Sequence, residues 1–158
     1  MNDQQPNWYA SYLEFFTHNN GCWKTSNAKF QNENEKAEAY GNTWEYAIGK
    51  NGKRGRLFGW EQGVQTPDFW EFRLFWDGAS GQVVTQQFGH NGIVGQGSLI
   101  QTDMGVYQQE QTFSLPDGRQ WQDRHRIEML DQAYRTTSFE LMNQQWVEKR
   151  SYLWKPCQ

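Results

Sequence analysis

The chain of 158 residues contains no apolar run near the roughly 20 residues that a membrane-spanning helix requires. Its first residues, MNDQQPNWYA, carry neither the basic segment nor the apolar segment of a secretory leader, so a cytoplasmic protein is expected. Cysteine is scarce: Cys22 and Cys157 are too few for a disulfide framework and form no CxxC pair, which reads as two reduced thiols. Three His and two Cys dispersed along the chain show no metal-ligand spacing, and no metal site is expected. Lys and Arg are scattered in a chain of net charge -3 and pI near 5.6, leaving no electrostatic footprint for a phosphate backbone and excluding nucleic acid as the expected partner. No nucleophile elbow is present, because GQGSL puts Ser98 after its second glycine. The NGKRG turn has neither the spacing nor the following helix of a Walker loop.

Aliphatic residues are also few, and what replaces them is aromatic. Only 36% of residues are hydrophobic and mean hydropathy is -0.98, yet 16% are aromatic, including nine Trp, so burial must come from few, large side chains. The stretch DFWEFRLFWDGASG, 68–81, concentrates them. Read as a strand, it places Trp70, Phe72, Leu74 and Trp76 on one apolar face and Phe69, Glu71, Arg73 and Phe75 on the other. Upstream, NWYASYLEFFTHN (7–19) puts Trp8, Tyr12, Phe15 and Phe16 at helical spacing before an Asn-Asn-Gly stop. Beyond it, short aromatic and β-branched segments alternate with the turns GKNGKRG, DGASG, GHNG and LPDGR. Strands are expected near 22–25, 37–48, 55–65, 68–77, 82–90, 93–102, 104–114, 119–131, 134–142 and 145–154. No second helix of useful length separates them, so the sheet must be antiparallel. Closure removes the exposed edges of such a meander. The expectation is one all-β domain over 1–158: an up-and-down antiparallel β-barrel of about ten strands over about 21–155, with one N-terminal helix. The runner-up is a curved sheet wrapped around that helix. Gly59 and Gly63 in one strand and Gly95 and Gly97 in another support curvature.

This layout resembles the calycin group of β-barrels, which includes lipocalins, fatty-acid-binding proteins and uncharacterised bacterial lipocalin-like families. The resemblance is carried by Gly21-Cys22-Trp23 ahead of the barrel, the hairpin from Phe75 to Gly81, the glycine run Gly92 to Gly97, the Asp117-Gly118 turn and the closing Tyr152-x-Trp154. It implies that Trp23 packs across the closed end of the barrel and that the interior holds a small apolar or amphipathic molecule. Secreted lipocalins carry a leader and usually disulfides, and this chain departs from that pattern.

The rings Trp44, Tyr46, Trp70, Phe72 and Trp76 are candidates to line such a cavity. In QWVEKRSYLW, strand alternation puts Trp146, Glu148, Arg150, Tyr152 and Trp154 on one face. Arg150 and Tyr152 would offer a guanidinium fork and a hydroxyl to a carboxylate, and the resembled fatty-acid-binding proteins use an Arg-x-Tyr in this way. The alternative is that Glu148 and Arg150 pair on a solvated outer face. In WQDRHRIEML, Trp121, Asp123, His125, Ile127 and Met129 share a face, making Asp123 and His125 candidates for acid–base chemistry, although i and i+2 are too far apart for an easy hydrogen bond. His90 reads as an exposed turn residue, and His18 follows the helix, near its C-terminus. A haem would need only one axial His, but nothing selects one, so no cofactor is expected. Glu71, Glu110, Glu128 and Glu140 read as partners for Arg73, Arg124 and Arg135. Two functions are carried forward: a binder of a small hydrophobic or amphipathic ligand, fatty-acid-like or an aromatic acid, and an isomerase or lyase using the barrel mouth. A ring-filled barrel acting as an interaction module or homodimer is the third outcome.

Overall fold

The computed structural model describes residues 5–158, so residues 1–4 of the expected domain lie outside the described residues. A single helix, α1 (Asn7–Thr17), precedes eleven strands: β1 (Cys22–Ser26), β2 (Ala39–Ala47), β3 (Gly52–Glu61), β4 (Val64–Gln65), β5 (Trp70–Asp77), β6 (Gln82–Gly89), β7 (Val94–Asp103), β8 (Val106–Ser114), β9 (Gln120–Leu130), β10 (Ala133–Met142) and β11 (Gln145–Pro156). All pairings are antiparallel, and β2 bonds to both β1 and β3. Ten strands therefore close into a barrel, while β4 is a two-residue flap on the end of β3. Closure, not the curved open sheet, is the outcome.

The helix caps one end of this barrel. Tyr9, Tyr12, Leu13 and Phe16, at i, i+3, i+4 and i+7, are buried together, as one helical face should be. They pack on Trp23, Leu74, Val83, Leu99, Tyr107 and Tyr134 from the strands. Trp23 stacks on Phe15 with centroids 5.3 Å apart and donates its indole N–H to the Phe16 carbonyl at 3.1 Å. The Gly-x-Trp thus seals the helix end. Gly21 is required there, because its φ is +62° and a Cβ would lie 1.9 Å from the Trp44 carbonyl oxygen.

Several boundaries differ from expectation. The helix stops at Thr17, two residues early, because His18 is extended and Asn19 and Asn20 take left-handed φ. Strand β3 begins at Gly52, three residues inside the segment read as a turn, and ends at Glu61; Gly63 belongs to the turn into β4 with φ +75°. The segment 27–38 between β1 and β2 folds back against the barrel end opposite the helix, using a 3-10 turn at Ala28–Phe30 and a bridge between Asn32 and Glu35.

The reading of the cysteines as reduced thiols is corrected: Cys22 and Cys157 form a disulfide with Cα atoms 5.4 Å apart. Barrel closure sets Trp23 opposite Pro156 at the seam, which brings together two residues 135 apart in sequence. Counting cysteines cannot detect a pairing that closure alone creates.

Candidate functional site

Inside the barrel, between the helix cap and the 27–38 segment, lies a cavity of about 380 Å³. Its wall is chiefly aromatic. Trp70, Phe72 and Leu74 of β5 project into it, as alternation required, and Trp44 stacks on Phe72 at 5.3 Å. Gly55, opposite Trp44, leaves room for that indole; a Cβ would meet the ring at 2.4 Å. Across the lumen, Phe113 and Trp121 stack at 5.0 Å. Glu71 and Arg73 face outward, where they pair at 3.1 Å.

Of the candidate ligand contacts, Trp44, Trp70, Phe72, His125, Arg150 and Tyr152 line the cavity. Tyr46 and Trp76 do not: both pack against the hydrophobic cluster under the helix instead. The expected face of β11 is only half right. A bulge between Glu148 and Arg150 sets two β11 residues against one of β10 and reverses the alternation. Arg150 and Tyr152 line the lumen with Trp154, while Trp146 lies on the outside, with the Arg124 guanidinium 4.1 Å from its ring centroid.

The Arg150 fork is already filled. Glu35 accepts from both guanidinium nitrogens at 2.7 Å, a bidentate charge-assisted pair. Tyr40 also donates to Glu35, at 2.5 Å, and Asn27 at 3.1 Å. Tyr152 accepts from Arg150 at 3.1 Å and donates to Asn27 at 2.7 Å. The hydrogen bonds from Arg150 hold the Glu35 pKa at about 2, against a smaller opposing effect of burial. Arg150 therefore anchors the 27–38 segment to the barrel, and a ligand carboxylate would have to displace Glu35 to reach it.

Asp123 and His125 project side by side from β9, with His125 Nδ1 3.7 Å from Asp123 Oδ2. That is ion-pair range, beyond a hydrogen bond. Burial raises the Asp123 pKa, with His125 working against it, and burial lowers the His125 pKa, with Asp123 working against it. Both groups are thereby pushed toward their neutral forms. Part of each side chain faces the lumen, 31% of His125 and 20% of Asp123 being accessible, so a bound molecule can touch them. His90 is exposed in its turn, and His18 is exposed beyond the helix.

Sequence reasoning missed Lys53. It is 1% exposed and lines the cavity, with its Nζ 3.6 Å from the ring centroids of both Phe16 and Trp44 and 4.6 Å from that of Tyr12. Burial pushes its pKa well below the ordinary lysine range. Three further buried polar atoms on the wall, Asn42 Oδ1, Trp44 Nε1 and Thr85 Oγ1, have no hydrogen-bond partner among the described residues. The signal for Lys53 was present: counting back by twos from the inward Leu57 through Gly55 reaches it.

The chain matches no protein-family model, and no curated protein is significantly similar to it.

Proposed function

We propose that the barrel binds a small, flat, largely apolar molecule of one or two rings, the calycin-like role that the sequence pattern suggested. The carrying observation is the partly open, aromatic-lined cavity of about 380 Å³ inside the barrel, which falls toward the lower end of the roughly 300–1,000 Å³ typical of small-molecule sites. Polar groups interrupt the rings, among them Asp123 beside His125 and Arg150 beside Tyr152, and such groups can fix a ligand's orientation. Because Glu35 occupies Arg150, an uncharged or weakly polar aromatic is favoured over a fatty acid whose carboxylate must find a partner. The Cys22–Cys157 bond favours an oxidising setting over the expected cytoplasm. Titrating the protein's Trp fluorescence with an aromatic alcohol, an aromatic acid and a long-chain fatty acid tests the reading. Saturable quenching by the aromatic alcohol, weakened about tenfold or more in Trp70→Ala through lost ring burial, is expected. No change with any of the three would refute it.

A further inference from the structure

Two cationic side chains line the cavity. Arg150 has its carboxylate in Glu35; Lys53 has no carboxylate within ion-pairing distance and no hydrogen-bond acceptor among the described residues, only the rings of Tyr12, Phe16 and Trp44. The remaining ionisable groups on the cavity wall are Asp123, His125 and four tyrosines, Tyr12, Tyr40, Tyr134 and Tyr152, and none of them perturbs Lys53 appreciably, desolvation being the sole cause of its shift. An ammonium held this way gains the attraction of three ring faces but no anion, and the loss of its water lowers its pKa. A desolvated primary amine in an apolar pocket is a nucleophile with a free lone pair. A methionine or leucine would fill the same space without the cost of burying nitrogen, so the amine needs an explanation that packing does not provide.

We propose that Lys53 is a covalent capture site, holding a small aromatic or α,β-unsaturated aldehyde in the cavity as an imine. This rests on the cavity being accessible to a small molecule. The Nζ lone pair attacks the carbonyl carbon, and the C=O π pair moves to oxygen. One N–H proton passes to that oxygen, giving a carbinolamine. The hydroxyl then leaves as water, taking the proton that Nζ releases as the C=N bond forms. The sum is amine plus aldehyde to imine plus water, with no oxidant or reductant. Phe16 and Trp44 flank Nζ closely, which suits a flat conjugated carbonyl and leaves little room for a branched aliphatic one.

Cinnamaldehyde with cyanoborohydride near pH 7 tests this, with cinnamyl alcohol as a probe that enters the cavity but forms no imine. The expected result is one stable adduct, of aldehyde minus water plus two hydrogens, mapped by peptide mass to Lys53. It should form at least about tenfold faster than at any other lysine, because the cavity holds the aldehyde beside this amine. Lys53→Met and Lys53→Arg should lose the adduct while keeping a native circular dichroism spectrum. Labelling that is absent or spread evenly over surface lysines, while cinnamyl alcohol still binds, would overturn the imine and leave the binding cavity standing. If cinnamyl alcohol does not bind either, the capture site and the cavity reading fall together.

Discussion

Glu35 and Lys53 show how differently the same barrel treats a half-buried carboxylate and a buried amine. Glu35 meets Arg150 face to face and gains Tyr40 and Asn27 as further donors, whereas Lys53 meets only aromatic rings. The first arrangement gives a charge an opposite partner; the second offers ring faces only, and burial lowers the Lys53 pKa. Because the folded-state pKa of Glu35, about 2, lies below its ordinary 4.5, its contribution is complete above about pH 4.5 and is lost as pH falls toward 2. Glu35→Gln should therefore lower stability near pH 7 by about 1–2 kcal/mol, allowing for solvent screening of a pair at the barrel rim. Wild type and variant should converge as the pH approaches 2. Thermal melts of both proteins across that range check this, and a gap independent of pH would contradict it.

At the scale of elements, the seam between β1 and β11 carries the closure. These strands pair over only a short register, Trp23 with Pro156 and Lys24 with Lys155, and the disulfide reinforces it. Cross-linking across 135 residues removes much unfolded-state freedom, and loops of this length lie at the upper end of a typical range of about 2–5 kcal/mol. A double Cys22→Ser/Cys157→Ser variant should melt roughly 10 °C lower, taking about 3 kcal/mol and the 2–4 °C per kcal/mol typical of chains this size. Reductant should depress the wild-type melt toward the variant's; equal melting temperatures in oxidising buffer would contradict a structural role for the bond. The strands themselves were legible, because turns rich in Gly, Asn and Asp punctuate them and the alternation of β5 and β9 is unbroken. Alternation failed where the backbone departs from it. The β11 bulge moved Trp146 and Glu148 outside, and the early start of β3 hid Lys53 in an apparent turn. Glu35 left no trace in the sequence, since a loop residue reaching Arg150 across 115 positions obeys no local period.

For the whole molecule, closure turns a meander with a modest aliphatic content into a barrel with a partly open, ring-lined lumen. Rings stack along the inner wall, Trp44 on Phe72 over Gly55 and Phe113 on its cross-strand partner Trp121, and closure turns that wall inward. The helix fills the end with Tyr12 and Phe16 yet stops short of filling the middle, which leaves the cavity. The count of about ten strands and their order followed from turn spacing and the absence of a second helix, and the N-terminal helix from the spacing of its rings. The size of the empty space did not, because it depends on how far each ring reaches across the lumen. The most direct test is a ¹H–¹⁵N NMR titration of the nine Trp indole signals with cinnamyl alcohol. Saturable shifts at Trp44, Trp70 and Trp121, with the outward-facing Trp60 and Trp146 unmoved, are predicted. Unchanged signals throughout, or shifts confined to the outer pair, would contradict a ligand-accepting barrel.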